Sequence, residues 1–201
     1  MYIVPFMRRP RYKAPNARYH ITARTNRGEM IFDKRFKSLF LKVIREARKK
    51  YDFLLVSFCL MSNHPHLVLE PLGKEDISRI MQWILSVFAI RYNKIMGYKG
   101  HVFYDRFKSK IIATVLQYLR TLFYIASNPV RASLVDHPLE YEFNSVTYVR
   151  HGLDPGLLDP LPQRLQEVLD RFLEDYPREK YCRKDIRCSF FDRKPGRRQK
   201  K

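Results

Sequence analysis

Residues 52–71, with the sequence DFLLVSFCLMSNHPHLVLEP, contain the clearest secondary-structure signal in the chain. Residues 52–61 form a continuous apolar run of strand length, which is typical of a central strand that is covered on at least one side. The next two residues, Ser-Asn, predict a turn, and a second strand is predicted over residues 64–71. The two strands are expected to pair as a hairpin.

Four further segments have the periodicity of regular elements. They are two strands over residues 17–25 and 106–112 and two amphipathic helices over residues 34–50 and 74–96. The predicted order is strand, helix, strand, strand, helix, strand. This order is typical of an α+β, ferredoxin-like fold, with a four-stranded antiparallel sheet and helices on one face.

An additional helix is predicted after the last strand. Thr114 can cap it, and we expect it to run to Ser127, where the Asn128-Pro129 pair stops it because proline disfavours the helical conformation of the residue before it. Tyr124 and Asn128 are four residues apart in this segment, so their side chains lie one above the other on a helix.

The charge of the chain is large and concentrated at its ends. The 201 residues include 39 Lys and Arg against 20 Asp and Glu, a formal net charge of +19. Residues 1–50 contribute +12 and residues 178–201 contribute +8, while the remainder is close to neutral. Such a distribution favours nucleic acid as the partner, although basic ends without a defined site are the alternative.

The longest uncharged apolar runs, residues 53–61 and 83–90, are much shorter than the roughly 20 residues of a membrane helix, so we expect no membrane span. The N-terminal residues do not have the order of a secretory signal. Three cysteines, an odd number, do not make a disulfide framework. We therefore expect an intracellular protein of bacterial type, located in the cytoplasm and associated with the nucleoid.

Two pairs of residues can carry chemistry. His64 and His66 leave the same face of a strand and can supply neutral nitrogen ligands to a divalent ion that polarises a phosphate oxygen. Tyr124 can supply a nucleophilic oxygen, and Asn128 a third neutral ligand. The alternatives are a pair of surface or turn histidines and an ordinary packed tyrosine followed by a helix stop. Tyr118 and Tyr104 are rival nucleophiles.

Four motifs, in this order and spacing, resemble a known family. They are YHITARTNRGEMIF at 19–32, MSNHPHLVLEP at 61–71, RFKSKII at 106–112 and YIASNPVRASLV at 124–135. Together they resemble the single-tyrosine HUH transposases, specifically the REP-associated tyrosine transposase branch, over about residues 19–175. One departure is Pro65, because the family usually has a bulky hydrophobic residue between the two histidines. Since proline lacks an N–H, we expect the strand either to begin there or to lie at a sheet edge.

The resemblance implies a mechanism and a set of site residues. It places Mg²⁺ or Mn²⁺ on His64, His66 and Asn128, and it makes Tyr124 the nucleophile that attacks single-stranded or hairpin DNA to form a 5′-phosphotyrosine. Candidate DNA contacts are Arg8, Arg9, Arg11, Lys13, Arg106, Lys108 and Arg131. The alternative function is a non-catalytic protein that binds single strands or RNA hairpins on the same kind of sheet. The sequence leaves open a monomer or a homodimer.

The charge distribution and the family resemblance together divide the chain into four predicted segments. Residues 1–16 are a basic N-terminal arm, 17–136 the catalytic domain, 137–177 a C-terminal extension packed on it, and 178–201 a basic tail that we expect to be partly disordered.

Overall fold

The computed structural model of the protein describes Ala14 and residues 17–176. The basic tail over residues 178–201 and most of the basic N-terminal arm lie outside the described residues. The same is true of four candidate DNA contacts, Arg8, Arg9, Arg11 and Lys13.

Four strands form one antiparallel sheet. They are β1 (Arg18–Thr22), β2 (Phe53–Leu60), β3 (Pro65–Pro71) and β4 (Lys108–Ile112). Their order across the sheet is β2-β3-β1-β4, and each neighbouring pair is antiparallel. The predicted hairpin is β2-β3, and the α+β, ferredoxin-like arrangement of the sheet is confirmed.

Pro65 is the first residue of β3, which is a central strand. It pairs with Leu60, the last residue of β2, so the proline stands next to the hairpin turn. A missing N–H is tolerated at the first residue of a strand. Of the two positions expected for Pro65, the structure shows the first, and His64 consequently lies in the turn just before the strand.

Five α-helices accompany the sheet. They are α1 (Lys34–Arg48), α2 (Ile77–Met96), α3 (Val115–Arg131), α4 (Ser145–Arg150) and α5 (Gln163–Glu174). Among the described residues, none of these helices has the length and apolar character that crossing a membrane requires.

The core between α1, α2 and one face of the sheet is aromatic. The Phe88 ring of α2 stacks on Phe32 with 5.0 Å between centroids and meets Phe40 of α1 edge-on at 5.3 Å. Ile21 of β1 pairs with Leu67 of β3, and both are fully buried. Because side chains alternate along a strand, the neighbours of Ile21 and Leu67 point to the opposite face of the sheet.

Helix α2 begins later than the sequence predicts. Asp76 is its N-cap and accepts a hydrogen bond from the N–H of Ser78 (2.7 Å), so the helix starts at Ile77 and not at Lys74. The carboxylate therefore satisfies a free N–H at the helix end, and it does not belong to the first turn.

Helix α3 begins as predicted and ends later. The Thr114 hydroxyl accepts a hydrogen bond from the N–H of Gln117 (3.1 Å). The prediction that the Asn128-Pro129 pair stops the helix is wrong, because the helix continues to Arg131. So near the end, proline removes one backbone hydrogen bond without preventing the last turn. The helix ends where Ser133 adopts a left-handed conformation (φ 58°) and Leu134 donates its N–H to the Pro129 carbonyl (3.0 Å).

The segment after α3 covers the outer edge of β2. The N–H of Asp159 donates to the Leu55 carbonyl (2.9 Å), and the Asp159 carboxylate accepts the N–H of Leu55 (2.8 Å). Farther along the strand, Leu60 donates its N–H to the Phe143 carbonyl (3.0 Å). In the part of the chain that the structure describes, β4 is the other edge of the sheet.

Truncation of Phe88 tests the aromatic core. Phe88→Ala should lower the free energy of unfolding by about 3–5 kcal/mol, because it removes a fully buried ring and leaves a cavity. Ile90→Ala is the matched control on the same helix, since Ile90 is 67% exposed, and it should change stability by less than about 0.5 kcal/mol. Urea denaturation measures both variants. Equal losses for the two would contradict this account of the core.

Candidate metal and nucleophile site

Three histidines meet on the face of the sheet opposite the aromatic core. His66 lies on β3 and His20 on the neighbouring β1, while His64 lies in the turn before β3. His20 Nε2 is 3.0 Å from His66 Nδ1, and His66 Nε2 is 2.9 Å from His64 Nε2. His64 and His66 are therefore close together, although His64 lies in the turn and not on the strand face that the spacing predicts. His20 joins them from a position 46 residues away in the sequence.

The Asn63 side chain fixes the outer end of this row. His64 Nδ1 is 2.6 Å from Asn63 Oδ1, an oxygen that only accepts hydrogen bonds, so Nδ1 carries the proton. In a neutral imidazole the other nitrogen then carries an in-plane lone pair, and the lone pair of His64 Nε2 points towards His66. This is the tautomer in which His64 can act as a ligand.

All three imidazoles are held in the neutral form. Burial, with the charge of Arg24 second, lowers the pKa of His64 to about 4. Burial and then Lys110 lower the pKa of His20 to about 4. Burial, followed by the two neighbouring imidazoles and two arginines, holds the pKa of His66 well below its usual value. Near pH 7 each of the three rings therefore keeps one nitrogen lone pair.

Tyr124 lies beside the histidines. Its ring meets His66 edge-on with 5.6 Å between centroids and His20 at 5.9 Å. The guanidinium of Arg131 lies over the same ring, 5.0 Å from its centroid. Helix α3 therefore crosses the histidine face of the sheet and brings the phenol to the imidazoles within one chain.

Asn128 follows Tyr124 by one helical turn and is buried. Its amide nitrogen donates to the Tyr124 carbonyl (3.0 Å), which leaves the side-chain oxygen as its potential ligand atom. Among residues 14 and 17–176, no cluster of three His, Cys, Asp or Glu side chains is arranged to hold a metal ion. His20 contacts the Nδ1 of His66, away from the Nε2 atoms of His64 and His66, so the amide oxygen of Asn128 is the candidate for a third ligand.

The donor set suits a hard divalent ion only in part. Two neutral imidazoles and one amide oxygen bring no negative charge, so the charge of a bound ion stays available to a phosphate. Imidazole is a ligand for many transition metals, whereas Mg²⁺ prefers oxygen. The lone pair of His64 Nε2, directed at His66, is the feature of this structure that fits a cation.

The two rival tyrosines have different surroundings. Tyr118 is buried on the same helix, the guanidinium of Arg18 lies 5.0 Å above its ring, and burial raises its pKa to about 12. Tyr104 is 75% exposed in the loop before β4, where its N–H donates to the Arg24 carbonyl. Within the described residues, the ring of Tyr124 contacts His20 and His66, which makes Tyr124 the candidate nucleophile among the three tyrosines.

Cationic side chains border the site. Lys108 pairs with Thr22, which in turn pairs with His66, so these three residues are cross-strand neighbours on the same face of the sheet. Lys110 pairs with His20 on that face. The other two candidate DNA contacts within the described residues are Arg131, which lies over Tyr124, and Arg106, which is exposed just before β4.

Sequence reasoning missed His20, Arg24 and Lys110. Alternation along β1 assigns His20 to one face of the sheet, but only the strand register shows that this is the face of His66. Lys110 becomes part of the site through the same register.

Comparison with known proteins adds the family. The family model described as IS200-like transposase matches residues 13–128. The chain belongs to the IS200-like transposase family. A search of curated proteins found none similar enough in sequence to count as a relative.

Two solved structures resemble this IS200-like transposase. One is a REP-associated tyrosine transposase bound to a REP hairpin, with 20% identity and a TM-score of 0.61 over 78% of this chain and 93% of that chain. This likeness confirms the fold. The other is a candidate transposase from Deinococcus radiodurans, with 14% identity and a TM-score of 0.44 over 56% of this chain and 91% of that chain.

The neutral imidazoles predict a specific pH dependence of the metal-free protein. Histidine NMR signals of His20 and His64 should titrate near pH 4, as burial lowers both pKa values to about 4 from an ordinary 6.5. The unfolded chain takes up these protons near pH 6.5 and the folded chain only near pH 4, so the free energy of unfolding should fall as the pH is lowered through that window. Titration of both signals near pH 6.5 would contradict the prediction.

Proposed function

We propose that this IS200-like transposase cuts and rejoins single-stranded or hairpin DNA by metal-dependent transesterification, with Tyr124 as the nucleophile. The observation that carries the proposal is the contact of the Tyr124 ring with His66, at 5.6 Å, beside a pair of neutral imidazole nitrogens that are 2.9 Å apart. Binding of DNA alone requires neither the imidazole pair nor a tyrosine against it, so the arrangement favours a transposase over a non-catalytic DNA- or RNA-binding protein.

His64, His66 and Asn128 would hold Mg²⁺ or Mn²⁺. A divalent ion held there would supply Lewis acidity that makes the scissile phosphate more electrophilic. Desolvation keeps His64 and His66 neutral, so each imidazole retains one nitrogen lone pair at physiological pH.

Tyr124 would carry out the chemical step. Its phenolic oxygen forms a bond to phosphorus and loses its proton, while the bond from phosphorus to the 3′-oxygen breaks and that oxygen takes up a proton. The products are a 5′-phosphotyrosine and a free 3′-hydroxyl. The Arg131 guanidinium over the ring stabilises the negative charge that develops on the phenol. One phosphate ester replaces another, so a second 3′-hydroxyl can reverse the step without a nucleotide cofactor.

The shape and charge of the site favour a single strand. A scissile phosphate has to reach a space bounded by the sheet face and α3, where a flexible strand fits more easily than a stiff duplex. Cationic side chains on β4, Lys108 and Lys110, face the same side of the sheet and would follow the phosphate backbone. The structurally similar transposase bound to a REP hairpin supports a hairpin as the neighbouring element.

Further features of the proposal concern the whole chain. Arg8, Arg9, Arg11 and Lys13 of the basic N-terminal arm, together with Arg106, are proposed phosphate contacts. We also propose that the protein acts in the cytoplasm, in association with the nucleoid, because its proposed substrate is DNA. Because all four site residues come from one chain, the site is compatible with a monomer as well as with a homodimer.

Removal of the Tyr124 hydroxyl tests the nucleophile. Tyr124→Phe should abolish the covalent protein–DNA adduct, while affinity for the same DNA stays within about twofold, because only the attacking oxygen is lost. Denaturing gels with labelled hairpin DNA and Mn²⁺ measure the adduct. Tyr104→Phe and Tyr118→Phe are the matched controls and should still form it. Adduct formation by Tyr124→Phe at the rate of the unmodified protein would remove Tyr124 from this role.

Substrate form tests the geometry. One sequence is offered as a single strand, as a hairpin with a single-stranded flank and as a perfect duplex, at the same concentrations of salt and Mn²⁺. Cleavage should occur in the first two and be at least about tenfold slower in the duplex, since the duplex has to unpair before a phosphate can enter the site. Efficient cutting of the perfect duplex would instead indicate a duplex nuclease.

A further inference from the structure

His20 is the member of the histidine row that the proposed mechanism does not use. It is buried on β1, and its Nε2 lies 3.0 Å from Nδ1 of His66, which is the ring nitrogen of His66 that faces away from His64. The rings of His20 and His66 lie side by side and nearly in one plane, with 5.3 Å between centroids and 19° between planes, which is the arrangement of an in-plane hydrogen bond between the two nitrogens. His20 therefore contacts the proposed metal ligand His66 through Nδ1 and leaves the Nε2 of His66, which faces His64, available for a metal ion.

The hydrogen bonds of the row define where the protons are when no ion is bound. His64 Nε2 is a lone pair, because its Nδ1–H is given to Asn63. The 2.9 Å contact between the two Nε2 atoms then requires the proton on His66 Nε2. His66 Nδ1 becomes an acceptor, and His20 Nε2 donates to it.

The same contacts define what has to change for His66 to act as a ligand. His66 Nε2 must lose its proton so that its lone pair is free, and a neutral imidazole must then carry a proton on Nδ1. That N–H points at His20 Nε2, so His20 has to become the acceptor. Ligating histidines usually donate their second N–H to such a partner.

We propose that His20 is a positioning residue: its Nε2 changes from hydrogen-bond donor to acceptor towards His66 Nδ1. In this way it holds His66 in the tautomer that can bind a metal ion. This inference rests on the proposed function for the identity of the ligands. The proton on His20 Nε2 passes to His66 Nδ1, the proton on His66 Nε2 leaves the site, and His20 Nδ1 takes up one proton from its surroundings. The number of protons in the site and the neutral state of each ring are unchanged.

Tautomers can be measured directly in the full-length protein. Long-range ¹H–¹⁵N spectra distinguish Nε2–H from Nδ1–H, and Zn²⁺ serves as a diamagnetic probe ion. His66 should be the Nε2–H form without Zn²⁺ and the Nδ1–H form with it, and His20 should change from Nε2–H to Nδ1–H. If His66 is already Nδ1–H without the ion, or if His20 keeps Nε2–H when the ion binds, the proposal is overturned.

Variants test the same idea through affinity for Mn²⁺, followed by the loss of the free-ion electron paramagnetic resonance signal. His20→Phe keeps a ring but cannot accept a hydrogen bond, and it should weaken Mn²⁺ binding by about 10–100-fold. His20→Gln has a side-chain oxygen that can accept the His66 N–H, and it should restore most of the affinity. His137→Phe is the matched control. His137 contacts the Leu173 carbonyl (3.0 Å), away from the site, and its loss should leave Mn²⁺ affinity unchanged.

The outcomes separate this inference from the proposed function. Mn²⁺ affinity of His20→Phe within twofold of the unmodified protein would overturn the role of His20. The expected order of affinities, found in a protein whose Tyr124 forms no DNA adduct, would support the role of His20 and reject the proposed transposition chemistry. If His20→Phe does not fold, the tautomers of the unmodified protein with and without Zn²⁺ decide the question.

Discussion

Two imidazole nitrogens held 2.9 Å apart, Nε2 of His64 and Nε2 of His66, are the contact around which the site is organised. Burial lowers the pKa of both rings and keeps them neutral well below pH 6.5, and α3 contributes to that burial by crossing the face of the sheet on which they lie. The same crossing brings Tyr124 against His66. The packing of α3 against the sheet therefore both buries the histidines and positions the Tyr124 phenol beside them. This helix begins after its N-cap, Thr114.

Much of this arrangement was predictable because its signals are local in sequence. The hairpin is encoded by an apolar run and a short turn, and a His-x-His spacing at the start of a strand brings two imidazoles close together. The four-residue spacing of Tyr124 and Asn128 holds on any helix. These patterns predict the fold, whereas the proposed roles of His64, His66, Tyr124 and Asn128 come from the resemblance to the transposase family.

The parts that were not predicted depend on non-local or compensating contacts. His20 meets His66 only because β1 and β3 pair in one particular register, and a shift of one residue would turn His20 to the other face. The end of α3 was predicted too early because local rules weigh proline heavily. In the structure, the Asn128 amide donates to the carbonyl of Tyr124, and Ser133 supplies the left-handed turn that usually requires glycine.

The two edge strands of the sheet differ in how much of their backbone is covered, and this difference affects self-association at high protein concentration. The backbone of β2 is covered by the segment around Asp159, whereas β4 presents an edge in the part of the chain that the structure describes. Open edges invite strand pairing between copies, and lysines are a common protection against it. Lys108 and Lys110 are both exposed on β4. Replacing them with neutral residues would remove electrostatic repulsion between copies. Resistance to self-association and contact with phosphate therefore both require a positive charge at these two positions.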